Sequence, residues 1–119
     1  MKKLICLLAI IAIISASNCS RIPENNDPII GIWNRVELNA QENITHQEWI
    51  FNDAYLGRYH LYIDNSLELK TDFSWSQEKG MYTISYPGTE MTDDVVSMKM
   101  EQSVEVLEDN QGKILAQRE

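Results

Sequence analysis

Between residues 67 and 77 the chain reads LELKTDFSWSQ, with Leu67, Leu69, Thr71, Phe73 and Trp75 on one parity and Glu68, Lys70, Asp72, Ser74 and Ser76 on the other. Successive side chains of a strand point to opposite faces, so this alternation predicts a half-buried strand or a bent pair of strands rather than a helix. The same period recurs along the chain. HQEWIF pairs Trp49 with Phe51, RYHLYI aligns Tyr59, Leu61 and Ile63, and MYTISY aligns Tyr82, Ile84 and Tyr86. VVSMKM aligns Val96, Met98 and Met100, and SVEVLE aligns Val104 with Val106.

Turn chemistry separates these runs: Asp64-Asn65, Glu78-Lys79-Gly80, the segment from Pro87 to Asp94, and EDNQGK at 108–113. Short strands with tight turns predict an all-β chain, an antiparallel meander that closes into a barrel or folds into a sandwich. Residues 95–107 also admit a helix, on which Val96, Met100, Val104 and Leu107 would align. Two strands are the favoured reading there.

The N-terminus obeys a different rule. Lys2 and Lys3 precede 11 uninterrupted apolar residues, Leu4 to Ile14, followed by small residues at Ser15, Ala16 and Ser17. A membrane-spanning helix needs roughly 20 apolar residues, so this is the layout of a secretory signal peptide. Two cleavage readings stand. An ordinary signal peptidase would cut near Ser17. Alternatively, SASNC resembles a lipobox in the loose form of Bacteroidetes-like lipoproteins, with Cys19 as the first mature residue.

Cleavage before Cys19 removes Cys6 and leaves Cys19 alone, so the mature chain cannot form an internal disulfide. An odd cysteine in an exported chain needs a reason, and lipidation of Cys19 supplies one; a free thiol or an intermolecular disulfide are the alternatives. Acyl chains contribute about 0.8 kcal/mol per buried methylene, and more than one chain anchors stably. The expected layout is a lipoprotein signal peptide at 1–18, a lipidated N-terminus and flexible tether at 19–28, rich in Pro and Asn, and one domain at 29–119. The partner implied is a membrane reached through the anchor on Cys19. The address is a bacterial cell envelope, and Ser20 after the cysteine favours the outer membrane.

Loss of Lys2 and Lys3 leaves 8 basic side chains against 18 acidic ones, a formal charge of −10. That balance opposes nucleic acid and anionic headgroups, both of which need a basic footprint.

After the tether comes IIGIWNRVEL, which resembles the Gly-x-Trp opening of lipocalin-like domains, with Gly31 and Trp33 at the motif positions. The aromatic run FSWSQEKGMYTISYPG and the acidic hairpin VLEDNQGKILAQR continue the likeness, which covers residues 29 to 118. The chain is similar to the small lipocalin-like lipoproteins of Bacteroidetes. The resemblance implies an up-and-down barrel of about eight short strands. It also implies a structural pair in which Arg118 crosses the face of Trp33, a contact favourable by about 0.5–2 kcal/mol. Trp33 is out of phase with Val36 and Leu38, which asks for a bulge in the first strand or an outward Trp33.

A small eight-stranded barrel is either filled by its own side chains or holds one small ligand. The bulky inward candidates are Trp49, Phe51, Phe73, Trp75, Tyr82 and Ile84. Two readings follow. In the first, Trp49, Phe51, Phe73 and Trp75 line a cavity for a small apolar ligand or lipid. In the second, the barrel is filled and serves as a structural or protein-interaction module whose partners the sequence does not name. A void between Trp49, Phe73 and Trp75 would favour the first; an excess of aromatic residues on the outward strand faces would favour the second. No enzyme is expected, and no cofactor or metal. His46 and His60 fall on different strands, and the chain has no Gly-x-Ser-x-Gly elbow, phosphate loop or zinc-helix motif. Glu90, Asp93 and Asp94, and Glu108, Asp109 and Asn110, do not have EF-hand spacing.

Overall fold

The computed structural model describes residues 25–119; the expected signal peptide, Cys19 and the first part of the expected tether lie outside the described residues. Eight antiparallel strands follow one another in order: β1 (Gly31–Leu38), β2 (Ile44–Phe51), β3 (Leu56–Ile63), β4 (Ser66–Glu78), β5 (Met81–Ser85), β6 (Asp94–Glu101), β7 (Val104–Asp109) and β8 (Ile114–Arg118). Each pairs with its neighbour, and β8 returns to β1 through Trp33 opposite Arg118 and Asn34 opposite Gln117. The chain is therefore a closed up-and-down barrel, the architecture that the lipocalin resemblance implies. Residues 95–107 form parts of two strands, not a helix.

Two loop designs set the register. Asp64-Asn65, Lys79-Gly80 and Gln102-Ser103 are two-residue connections in which both residues have positive φ, the backbone that matches strand twist in a tight hairpin. The other design opens on Asn39, Asn52 or Asp109. In each, the side-chain oxygen accepts from the backbone N–H two and four residues on. The fourth residue, Glu42, Tyr55 or Gly112, takes the left-handed conformation.

Parity along the strands decides what is inside. Trp33, Trp49, Phe51, Tyr59, Phe73, Trp75, Tyr82, Ile84, Val96, Leu107 and Ala116 are buried in one cluster. Strand β1 pairs with β2 without interruption, so Trp33 faces inward and no bulge intervenes. Val36 and Leu38 consequently point outward, at 63% and 69% exposure. Two bulges shift parity elsewhere. Leu61 faces Leu69 while Tyr62 faces Leu67, which leaves Glu68 as the extra residue; in β8 the extra residue is Leu115. In β7 the interior residue is Leu107, opposite Met98 and Ala116, whereas Val106 lies opposite Lys99 and Gln117 on the other face. The expected Val104–Val106 face is thus the outer one.

One end of the barrel is plugged by residues 25–30. Ile29 is fully buried, its carbonyl accepts from Trp33 Nε1 at 2.8 Å, and Asp27 accepts from Tyr82 OH at 2.6 Å. Asn25 donates to the Asp53 carbonyl. Residues 25–28, which composition assigns to the tether, thus belong to the packed domain. Gly57 is required beside this plug, because a Cβ there would stand 2.1 Å from Phe73 Cζ.

Candidate functional site

Of the four aromatics proposed to line a cavity, Phe51 meets Phe73 and Trp75, and Trp49 packs on Tyr59 instead. Trp49, Phe51, Phe73 and Trp75 are each at most 3% exposed. Phe51 meets Phe73 edge-on at 4.9 Å between centroids and Trp75 at 5.9 Å, and Trp49 meets Tyr59 at 5.2 Å. Those separations are direct ring contact. Trp75 Nε1 is held by the carbonyls of Asn52 and Leu56, which fixes its ring across the plugged end.

Trp33 and Arg118 meet where β1 and β8 close the barrel. The guanidinium carbon sits 4.1 Å from the Trp33 ring centroid. Its N–H groups donate to the carbonyls of Ile30 and Pro28, and Glu105 lies 3.3 Å away. Gly31 makes room: a Cβ there would come within 2.9 Å of the guanidinium.

Above the aromatic floor the inward parity turns polar. Trp49 Nε1 donates to Tyr86 OH at 2.9 Å, and Tyr86 OH donates to Asp94 Oδ2 at 2.6 Å. Beside them Gln47 donates to Tyr59 OH at 2.7 Å. Burial pushes the Tyr86 phenol well above its usual range, and its bond to the Asp94 carboxylate pushes the same way. Burial also raises the Asp94 carboxyl; the Tyr86 hydrogen bond opposes this, Asp93 and Asp109 reinforce it, and Arg35 pulls it down.

Asp94, at the end of this hydrogen-bonded chain, also lines a cavity of about 160 Å³ at the unplugged mouth, together with Arg35, Val96, Asp109, Lys113 and Leu115. Arg35 also pairs with Glu37 at the rim. The sequence keeps these residues in separate strands and turns, and neither Asp94 nor Asp109 signals there that it faces inward; the barrel joins them.

The outer face carries a second arrangement. Val36, His46, Tyr62 and Leu67 are register partners across β1 to β4 and so form one outward row, with Leu38 opposite Ile44 beside it. Leu38, Val36, Ile44 and Leu67 are all more than half exposed. His46 stacks on Tyr62 at 5.6 Å, and among the described residues its Nε2 is buried without a hydrogen-bond partner. His60, on the row below, pairs with Glu48 at 3.2 Å. Neither histidine enters the barrel with the aromatics. Cys19 lies outside the described residues.

No protein-family model, curated protein or solved structure matches this chain.

Proposed function

We propose that the protein is a lipid-anchored, lipocalin-like lipoprotein of the bacterial cell envelope whose filled barrel acts as a protein-interaction module. Of the two readings that the sequence leaves open, the contact of Phe51 with Phe73 and Trp75 speaks against an apolar ligand among the rings, because the rings are one another's neighbours. The observation that carries the reading is the outward row Val36–His46–Tyr62–Leu67 with Leu38 and Ile44. Contiguous apolar side chains on an outer face mark an interaction site.

Chain direction supports a protein as the partner. The described chain enters at the plugged end, whereas the apolar row lies at the opposite, mouth end. Five residues separate Cys19 from Asn25. An anchor on Cys19 would hold the plug within roughly 20 Å of the bilayer, at about 3.3–3.6 Å per extended residue. The row would then face away from that membrane. Its acidic neighbours Glu42, Asp64 and Glu68 suit a partner with an apolar centre and a basic rim, and the mature charge of −10 opposes pairing with a second copy.

A photoreactive residue at Leu38 or Leu67, placed in living cells, tests this. The reading predicts one shared protein adduct from both positions, and its loss when Val36 and Ile44 become serine. Adducts equally abundant from Glu78, at the plugged end, or none from either position, would contradict it.

A further inference from the structure

The mouth cavity is separate from the outer row and has a different chemistry. Its wall holds two cationic side chains, Arg35 and Lys113, and two carboxylates, Asp94 and Asp109, over an apolar patch of Val96 and Leu115. At about 30 Å³ per water its volume of about 160 Å³ equals roughly five waters. Drug-sized ligands occupy about 300 Å³ or more, so only a small molecule sits wholly within it.

Charge narrows the occupant further. A lone carboxylate would meet Asp94 and Asp109, a lone amine would meet Arg35 and Lys113, and a bare metal ion would face the same two cations. An apolar molecule would strip water from four charged groups and return no hydrogen bond. A molecule that carries both signs within a few bonds satisfies both walls. The wall groups have capacity for it. A guanidinium has five donors, so Arg35 can hold Glu37 and a second carboxylate together. Tyr86 occupies Oδ2 of Asp94, and among the described residues no donor occupies Oδ1. Asp109 Oδ1 accepts from the backbone of Gln111 and Lys113, which fixes the carboxylate at the rim.

We propose that the mouth of the barrel binds a small zwitterion of the α-amino-acid type, with its carboxylate toward Arg35 and Lys113, its ammonium toward Asp94 and Asp109, and a short side chain on Val96 and Leu115. The Trp49–Tyr86–Asp94 hydrogen bonds couple this site to the aromatic floor and hold Asp94 in place for the ammonium. The site does not depend on the outer row, so each can fail alone.

The test is nuclear magnetic resonance of the uniformly labelled full chain in detergent micelles, titrated with L-valine. Isovalerate and isobutylamine, which are valine without its amine or without its carboxylate, serve as controls. Valine is expected to shift the amides of Arg35, Asp94, Asp109 and Leu115 and to bind at least about tenfold more tightly than either control, the equivalent of one charge-assisted contact. Asp94→Asn and Arg35→Gln, each with a dispersed, folded spectrum, are expected to weaken valine by a similar factor, and Arg58→Gln to leave it unchanged. Absence of shifts at the mouth, equal binding of valine and its single-charge analogues, or wild-type affinity in both mouth variants overturns the proposal.

Discussion

Arg118 lies over Trp33 with its guanidinium carbon 4.1 Å from the ring centroid, and the two residues are also direct partners across the β1–β8 seam. Among the described residues two register pairs, extended by the Glu119 N–H to Ile32 carbonyl hydrogen bond, close that seam, so this side-chain contact reinforces a short ladder. Arg118 further ties the plug through the carbonyls of Ile30 and Pro28. Arg118→Ala is expected to lower stability by about 1–3 kcal/mol, because it leaves the part-buried Ile30 carbonyl without its donor and removes the contact with Trp33. Arg118→Lys restores only part of this, since an ammonium lacks the planar fork. Urea unfolding of Trp33→Leu, Arg118→Ala and the double variant measures the coupling, expected at about 0.5–2 kcal/mol. Strictly additive losses would count against the pair.

Tyr86 is the hinge between floor and mouth, since it accepts from Trp49 and donates to Asp94. Tyr86→Phe leaves the Trp49 indole N–H buried without an acceptor, at a cost of about 1–3 kcal/mol. The phenol's pKa is raised in the folded state from its ordinary 10.0, so the folded protein holds this proton more tightly than the unfolded chain. Its contribution is complete below pH 10 and falls as the pH rises beyond it. Tyr59 and Tyr82 are raised by burial as well. Alkaline unfolding should therefore be steep above pH 10, and shallower in Tyr86→Phe.

Asp94 behaves in the same sense at the acid end. Its carboxyl is raised from 3.8, chiefly by burial, so the folded state binds the proton more readily than the unfolded one. Stability relative to an uncharged side chain is greatest below pH 3.8 and declines as the pH rises through the raised value. Asp94→Asn keeps an acceptor for Tyr86 and removes the charge. Melts at pH 3 and pH 7 should show the variant gaining on wild type as the pH rises; a gain at pH 3 that vanishes at pH 7 would reverse the sign.

The β6–β7 connection stores removable strain. Gln102 and Ser103 both have positive φ, at 49° and 69°, with side chains that disfavour it. A left-handed residue costs roughly 1–2 kcal/mol, and Asn-Gly is the preferred pair for this turn. Gln102→Asn with Ser103→Gly is expected to raise stability by about 1–2 kcal/mol, or Tm by about 4–8 °C per kcal/mol. A lower Tm would show that the hairpin is held by other means.

What the sequence revealed and what it hid have one physical source. Alternation separates two faces of a strand without saying which one is inside. Phe73 and Trp75 and the run Tyr82, Ile84 and Tyr86 were legible because their outward neighbours are polar or small. In β1 both faces carry apolar residues, so Val36 and Leu38 looked like core until the uninterrupted register with β2 turned them outward. Bulges at Glu68 and Leu115 break parity with no glycine to announce them. Gln102-Ser103 carries no turn signature, although its backbone is that of the Lys79-Gly80 turn. The mouth was hidden for a topological reason, since Arg35, Asp94, Asp109 and Lys113 meet only after eight strands close.

The central claim is that the chain's own rings occupy the barrel, so that it works from its outer face. Mass spectrometry of the protein isolated from its native host, with organic extraction after denaturation, tests this most directly. The expected result is that no apolar molecule accompanies the folded barrel, other than acyl chains carried covalently if Cys19 bears the proposed anchor. A reproducible apolar adduct that is released on unfolding, and is lost in a folded Trp75→Ala variant, would contradict it and make the protein a carrier.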